Sequence, residues 1–574
     1  IEDDISPNDA ADADDPGRCP SFEDKDEEMH IFCGRNALWK PHVIMWGIDN
    51  LIDIAEYDGE MRRICRLAGP YIIDEVMESL FESVALALMS NFIGTDTVAA
   101  YALAELFMGM TDELIGGISD SQSTLCPHAL GAGNNYLCAQ YTQIAIVAQT
   151  LLGSPFLVFW CFMIDDVVLW FGLGEHVATI AQQYTIIDSF SYFISGITES
   201  LIGLLEITDH EQYVAFMDVV EGAVNVSTLA FFLILRDDVQ LWQVGLLDFV
   251  LGIIFATITL GYAFKMGWFK QFIPGLFKNI ALRNKAAVKN VLRTALPLAV
   301  GSFLAYSEWE VLTIFAAHLG PAEVTTWAVL GTIWETFEAT TEGLGEAAAV
   351  RVSYHLGKGN HHMAKVSTYK CLLASTIFAL FTTSIFFMLG ENLAIWFFAE
   401  DATLQNLLVE LIPLVGLGNV TMTFGMEAWH IIGAQGRYRL ATLVALVCSW
   451  FITVPLAAFL VYSLTINLQG VVSAVVIGYS FTGTIMACVL LRSDWERLSK
   501  IIMDINAVTG EMYSDDSDEE DDDEDSMSSK SSVSSSDDDI DDSSSKVSLD
   551  SESAMSKMSN SIASRSLVSA VRVS

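Results

Sequence analysis

The chain has 574 residues, of which 52% are hydrophobic and only 18% charged, and its mean hydropathy is +0.42. A soluble chain of this size carries about 25% charged residues to cover its surface, so the composition excludes a string of soluble domains and indicates a multi-pass membrane protein. The net charge of −43 excludes nucleic-acid binding and disfavours docking on anionic lipid.

Much of the negative charge lies in two tails. Residues 1–60 and residues 509–574 each carry a net charge of −13, which leaves −17 for the body between them. The second tail is rich in Ser, Asp and Glu and cannot bury enough apolar surface to fold, so we predict disorder. Serines beside acids, such as Ser514, Ser517 and the cluster at 531–536, predict a kinase as partner; a purely solvating tail is the alternative.

Twelve apolar segments are long enough to cross a bilayer as helices. The first six are predicted near 67–90, 98–120, 139–162, 177–205, 211–235 and 241–264, and the second six near 293–317, 323–349, 366–390, 404–432, 438–462 and 470–491. The corresponding regions are an acidic tail (1–60), an N-lobe (61–264), a basic connector (265–292), a C-lobe (293–508) and the acidic tail from 509 to 574. Spans 1, 2, 5 and 8 are the least apolar, as expected if they line a cavity.

Basic residues predict the orientation in the membrane. Lys and Arg are concentrated in the connections that follow even-numbered spans, above all in the 265–292 connector. Cytoplasmic loops carry an excess of Lys and Arg, so we expect both termini and this connector in the cytoplasm. A plasma membrane and a vacuolar-type membrane both fit this orientation.

An internal repeat with an offset of 226 residues relates the two halves. Gly117 aligns with Gly343, and the segment Gly131-Ala-Gly-Asn134 aligns with Gly357-Lys-Gly-Asn360. The repeat contains an even number of spans, so the two halves have the same orientation. The sequence therefore predicts an all-α polytopic membrane protein with 12 transmembrane helices in two pseudo-symmetric six-helix lobes.

The same segments resemble the multidrug and toxic compound extrusion (MATE) family, of the eukaryotic type, over about residues 65–500. The segment Val350-Arg-Val-Ser-Tyr-His-Leu-Gly-Lys-Gly-Asn360 is similar to the family motif VRVSNELGAGN, and Ser493-Asp-Trp-Glu496 is similar to TDWE of eukaryotic members. Pro70 and Pro297 stand where the family often has a proline. The resemblance implies cation-coupled export by alternating access between two lobes.

Carboxylates within the spans are the candidate coupling groups, because an acid at bilayer depth is costly and is retained mostly where it functions. Glu78 and Glu82 lie one helical turn apart on span 1, and Glu82 aligns with Glu308 of span 7. Residues two apart on a helix diverge by about 200°, so Glu308 and Glu310 cannot both face one cavity. The resemblance implies Glu310 as the principal coupling carboxylate, because eukaryotic members have an aromatic-Glu pair there.

A second set of residues is predicted to form the cavity wall. Glu335, Glu338 and Glu342 form one acidic stripe on span 8, and Trp334 of that span is an aromatic wall for an organic cation. The family resemblance adds Asn225 of span 5 and Glu427 of span 10. It also shows departures, since the family's span-1 Asp, span-5 Asp and span-10 Asp fall on Leu86, Leu229 and Phe424.

These patterns predict a secondary antiporter that exports an organic, cationic or amphiphilic solute in exchange for H+ or Na+. The alternatives are an organic-anion (citrate-like) exporter of the same family and a non-transporting membrane sensor or scaffold. The sequence contains no hydrolase or nucleotide-binding motif and no metal-ligand spacing, so we expect no enzyme activity, cofactor or metal site. The expected partners are a small-molecule substrate and the lipid bilayer, and we expect a monomer.

Overall fold

The computed structural model describes residues 54–521, apart from 173, 237–238, 279, 399–401 and 465–466. Most of the predicted N-terminal tail and the Ser cluster at 531–536 lie outside the described residues. The described part is helical throughout, and no strand occurs in it.

The N-lobe contains seven helices. They are α1 (Gly59–Phe92), α2 (Thr95–Asp120), α3 (Gln122–Gly131), α4 (Asn135–Trp170), α5 (Glu175–Leu205), α6 (Glu211–Leu235) and α7 (Leu241–Met266). A π-helical turn at Glu206–His210 joins α5 to α6. The short helix α3 extends the second span beyond residue 120, in a connection that we expected to be a loop.

The C-lobe follows the connector. Its helices are α8 (Lys285–Leu319), α9 (Pro321–Gly357), α10 (His361–Phe397), α11 (Ala402–Ala434), α12 (Tyr438–Cys448), α13 (Val454–Ala458) and α14 (Leu468–Arg492), and α15 (Trp495–Asp521) comes after them. π-helical turns join α12 to α13 and extend that span to Ser463. Helix α8 begins inside the predicted connector, and α15 continues past residue 509, where we placed the start of the tail.

Hydropathy separates the helices that face lipid from those that face each other. Among the described residues, nine helices are long and apolar enough to cross a membrane. Helices α1, α2 and α9, which carry many of the carboxylates, do not meet that criterion, in agreement with the prediction for spans 1, 2 and 8; span 5 is α6 and does meet it. Large apolar side chains such as Phe162 (72% exposed) and Met388 (82% exposed) point outwards, as expected for surfaces that contact lipid.

The repeated glycines mark the places where the two lobes approach most closely. A Cβ atom on Gly117 would lie 2.5 Å from the backbone nitrogen of Ala299 in α8, and a Cβ atom on Gly343 would lie 2.6 Å from the backbone nitrogen of Ile72 in α1. Helix α2 therefore packs on α8 as α9 packs on α1. The internal repeat is thus a pseudo-twofold interface, and glycine is required there because the facing group is backbone.

The repeated Gly-Asn pair is a turn between two helices. Gly133 and Gly359 both have φ of +78°, a left-handed conformation that ends the preceding helix. The side chains of Asn134 and Asn360 then accept hydrogen bonds from the backbone N–H groups of Leu137 (2.9 Å) and Met363 (3.1 Å), which caps the next helix. The motif is therefore explained by local backbone geometry.

These turns lie at one end of the bundle, which we call the basic face. It comprises the connections 132–134, 267–284, 358–360 and 435–437 and the starts of α1 and α15. Here Arg351 of α9 donates from Nε to Oε1 of Glu60 (3.0 Å) and from Nη2 to Oε2 of Glu60 (2.6 Å). His355 Nε2 lies 3.1 Å from Glu60 Oε1, and Ser367 of α10 donates to the same oxygen at 3.1 Å. The start of α1 is therefore joined to the C-lobe by a buried charge network.

Burial alone would raise the pKa of Glu60, but hydrogen bonds from His355 and Arg351 and the Arg351 charge outweigh it, so the pKa lies well below its usual 4.5. Burial lowers the pKa of His355 below its usual 6.5, although Glu60 opposes that shift. Glu60 is therefore ionised and His355 neutral at pH 7.

Candidate functional site

A cavity of about 260 Å³ lies where α2 of the N-lobe meets the C-lobe helices. Its wall is formed by residues of α2, α8, α9, α11, α12 and α14 and by the π-helical turn after α12. Both lobes therefore contribute to it. A site of this kind changes shape when the lobes move relative to each other.

The cavity is acidic. Seven carboxylates line it: Asp112, Glu113 and Asp120 from α2, Glu308 from α8, and Glu335, Glu338 and Glu342 from α9. None of the described lining residues is Lys or Arg, and the one lining imidazole, His430, has its Nε2 3.5 Å from Glu342 Oε1. Closely spaced carboxylates in a partly closed site attract cations.

Aromatic rings form part of the wall. Trp309, Trp334, Trp429 and Tyr479 line the cavity. The Trp334 ring stacks on Tyr479 with centroids 5.8 Å apart, and the Trp309 ring stacks on Trp327 at 4.6 Å. Faces of Trp and Tyr attract organic cations, so the acids and the rings favour the same class of ligand. Trp327 itself lies behind the wall and donates from Nε1 to Thr313 Oγ1 (2.9 Å).

The predicted C-lobe residues are divided between the cavity and its surroundings. Glu308, Glu335, Glu338, Glu342 and Trp334 all line the cavity.

Glu310 and Glu427 lie outside the lining. Glu310 follows Tyr306 by one turn, and the Tyr306 hydroxyl donates to the Leu106 carbonyl of α2 at 3.4 Å, so Glu310 is on the side of α8 that faces the N-lobe. Glu427 is fully buried in α11, and neither of its carboxyl oxygens has a hydrogen-bond partner among the described residues.

Two of the predicted N-lobe residues, Asn225 and Glu82, belong to a separate group of polar side chains. Asn225 of α6 donates to Asp248 of α7. Glu82 of α1 interacts electrostatically with Glu105 and Asp248, and Tyr184 donates to Glu105 at 2.7 Å. Glu78 and Glu82 are not among the residues that line the central cavity.

The sequence predicted that span 2, which is α2, lines a cavity, but it singled out none of the side chains of α2 as site residues. Asp112 lines the cavity and accepts a hydrogen bond from Tyr192 of α5 at 2.8 Å, so it joins the N-lobe polar group to the central cavity. Asp120, the last residue of α2, also lines the cavity. The signal that could have found these residues is the alignment of Gly117 with Gly343, because it places α2 opposite the C-lobe as α9 is opposite α1.

One further group of acids has the spacing of a cation site. Single carboxyl oxygens of Asp74 (α1), Glu206 (π-helical turn) and Asp218 (α6) lie within 4.8 Å of one another. Acidic groups of this kind are common without an ion, and the three residues are not among those that line the central cavity. We assign them no role.

Comparisons with known proteins agree with this architecture. The MatE family model matches residues 70–226 and 297–459, one segment in each lobe. Protein DETOXIFICATION 14 of Arabidopsis thaliana is 20% identical over 79% of this chain and 93% of its own length, and multidrug and toxin extrusion protein 1 of Homo sapiens is 20% identical over 77% of each chain. An uncharacterized transporter of Saccharomyces cerevisiae is 21% identical over 77% of this chain, and the match spans 63% of that protein. The crystal structure of the eukaryotic MATE transporter AtDTX14 superposes with a TM-score of 0.70 and 16% identity, over 78% of this chain and 99% of that one.

Proposed function

The chain belongs to the MatE family of efflux transporters, and from this premise we propose that it is a secondary antiporter that exports organic cations in exchange for H+ or Na+. The observation that carries the proposal is the central cavity, which has seven carboxylates, aromatic walls and no Lys or Arg among its described lining residues. An organic anion such as citrate would meet repulsion from these acids. A cationic or amphiphilic solute would gain both charge attraction and ring contacts.

Exchange follows from competition for the same carboxylates. A solute cation that enters the cavity neutralises part of its negative charge, and so does a proton or a sodium ion. Binding of either ligand therefore weakens binding of the other, and each one biases the equilibrium between two packings of the lobes by its difference in affinity for them.

We propose complementary roles for the two glutamates of α8. Glu308 lines the cavity, where it can contact solute, while Glu310 is on the side of α8 that faces the N-lobe. A change in the charge of Glu310 would alter how α8 packs on the N-lobe. We therefore retain Glu310 as the principal coupling carboxylate and assign Glu308 to solute binding.

The basic face is proposed to be cytoplasmic, in accord with the excess of Lys and Arg in its connections. Helices α1 and α15 begin on that face, so both tails would lie in the cytoplasm. The transporter is proposed to act as a monomer, since each chain contains both lobes of one cavity.

Transport into proteoliposomes under imposed pH or Na+ gradients tests the proposal. A panel of organic cations and citrate identifies the solute class, and the gradient that drives uptake identifies the coupling ion. We expect Glu310→Gln to insert and bind solute but to lose gradient-driven transport, and Glu308→Gln to weaken solute binding instead.

The control is Glu410→Gln, an exposed glutamate of α11 outside the cavity lining, which we expect to leave transport unchanged. Full gradient-driven transport by Glu310→Gln would contradict the coupling role. Transport of citrate without transport of any cation would contradict the solute class.

A further inference from the structure

Helix α15 lies across the basic face and contacts both lobes. One stripe of this helix is buried, with a spacing of three or four residues: Trp495, Ser499, Ile502, Asn506 and Thr509. A stripe of this period is the face that an amphipathic helix buries against a protein surface. The helix is therefore docked between Trp495 and Thr509.

The first half of the stripe is anchored to the C-lobe. Trp495 and Ile502 are each 6% exposed and belong to an apolar cluster with residues of α9 and α10. Ser499 adds a hydrogen bond to the Leu356 carbonyl of α9 at 3.0 Å. Burial of two large apolar side chains makes this end the stronger attachment.

The second half of the stripe reaches the N-lobe through polar bonds. Asn506 donates from Nδ2 to the His128 carbonyl of α3 at 3.0 Å. The Thr509 carbonyl accepts at 3.1 Å from Nδ2 of Asn284, the N-cap of α8, and the Thr509 hydroxyl accepts at 3.2 Å from Nδ2 of Asn290 in α8. Asn284 also donates to Gln140 of α4 at 3.0 Å. This end therefore rests on α3 of the N-lobe and on the start of α8 through hydrogen bonds that water can replace at small net cost.

The two lobes are closed against each other directly above this helix. His128 Nε2 lies 2.9 Å from the Ala434 carbonyl of α11, and Thr124 Oγ1 lies 2.8 Å from the Tyr438 hydroxyl of α12. Gly131 and Gly357 touch so closely that a Cβ atom on either would overlap the backbone of the other lobe. Access to the cavity from the basic face requires these contacts to separate, and α15 cannot then remain bound to both lobes.

We propose that α15 is an autoinhibitory strap that holds the basic face closed, and that Asn506 separates from His128 of the N-lobe when that face opens. The release of this contact as a step of the transport cycle rests on the proposed function. The closure of the basic face does not, because it is a property of the two lobes. The Trp495–Ile502 end stays on the C-lobe throughout, because its apolar burial is not offset by hydration.

The test measures the distance between the lobes rather than transport. Spin labels are placed on Lys270→Cys, after α7, and on Arg439→Cys, on α12; both are exposed positions on the basic face. The full-length protein also carries Ser in place of Cys19, Cys33, Cys65 and Cys488. Distance distributions are recorded in nanodiscs for Asn506→Ala and Asn506→Asp. We expect each variant to raise the ratio of open to closed molecules about fivefold, because one net hydrogen bond is lost. The effect of Asn506→Asp should be the larger one, because its carboxylate would face the His128 carbonyl.

The matched control is Ser499→Ala, which removes the same type of bond to a backbone carbonyl at the C-lobe end. It should leave the distance distribution of the wild-type protein unchanged, because Trp495 and Ile502 still hold that end. An unchanged distribution in both Asn506 variants, or an equal shift in Ser499→Ala, would overturn the strap. Failure of the unmodified protein to transport any cation would instead overturn the proposed function and leave the distance result standing.

Discussion

At the scale of single residues, Glu60 is held by a buried network of hydrogen bonds and charges. Its carboxylate accepts hydrogen bonds from Arg351 and Ser367 and lies beside His355, and the whole group is buried. Removing one member of a buried ion pair leaves the other charge without compensation, which costs more than the pair itself contributes. We therefore expect Glu60 to stabilise the fold through its ion pair with Arg351, a residue of the family-like motif.

Glu60→Gln is expected to lower stability by about 3–5 kcal/mol, because it leaves the Arg351 guanidinium buried without its anion. The measurement is the midpoint of thermal unfolding of the purified protein in detergent. The matched control is Glu496→Gln, which removes an exposed ion pair with Lys500 and should change the midpoint little. Equal midpoints for Glu60→Gln and the wild type would show that the network does not stabilise the fold.

The same network predicts an acid-dependent loss of stability. The pKa of Glu60 is lower in the folded protein than its usual 4.5, so the unfolded chain takes up the proton first as pH falls. The contribution of Glu60 is therefore complete above about pH 5 and declines progressively below it. Unfolding midpoints measured between pH 7 and pH 3.5 should fall further in the wild type than in Glu60→Gln; parallel curves would contradict the assignment.

At the scale of elements, the lobes are held together by crossings of α2 with α8 and of α9 with α1. Each crossing depends on a glycine that faces backbone atoms of the other helix, and the pseudo-symmetry relates the two crossings. A facing side chain could turn away from an added methyl group, but a backbone nitrogen in a helix cannot. The two helices must instead move apart.

Gly343→Ala is therefore expected to destabilise the protein by about 1–3 kcal/mol through forced separation of α9 and α1. The control is Gly261→Ala in α7, where an added Cβ would meet nothing within 4 Å. That change should be neutral or slightly stabilising, since alanine is the better helix former. We expect Gly343→Ala to lower the unfolding midpoint below that of the wild type, and the control to leave it unchanged or raise it slightly. An unchanged midpoint for Gly343→Ala would contradict the close packing.

At the scale of the whole molecule, the negative charge is divided between the two tails and the body. The tails carry −26 of the total and the body −17, and seven of the body's carboxylates line one cavity between the lobes. Lipid cannot solvate such a group, so the acids face water or ligand. If the protein is an antiporter, the carboxylates of the cavity are the functional charges. If it is a scaffold, the acids of the tail are the functional ones.

Removal of residues 522–574 separates the two readings, because it deletes most of the acidic tail and leaves every described helix intact. We expect the initial rate of cation transport in proteoliposomes to stay within about twofold of the full-length protein, since no part of the cavity is lost. A truncated protein that inserts normally but transports nothing would favour a tail-dependent role.

The sequence by itself determined the class of fold and the number of spans. A bilayer makes each spanning helix satisfy its own backbone, so length and hydropathy are local signals that can be read segment by segment. The 226-residue repeat predicted the two lobes, and the excess of acidic residues in the body predicted an acidic cavity. The acidic stripe of α9 was predictable for the same reason, because one helix sets its spacing.

Only the tertiary structure decided which side of each helix faces the cavity. Glu308 and Glu310 are two residues apart in the sequence but on different sides of α8. Glu427 is buried outside the lining, because the rotation of a helix is fixed by its neighbours. The contribution of Asp112, the bond between Glu60 and Arg351 and the docking of α15 join residues that are far apart in the chain. Such contacts depend on how two lobes close on each other, and no local pattern of residues records that closure.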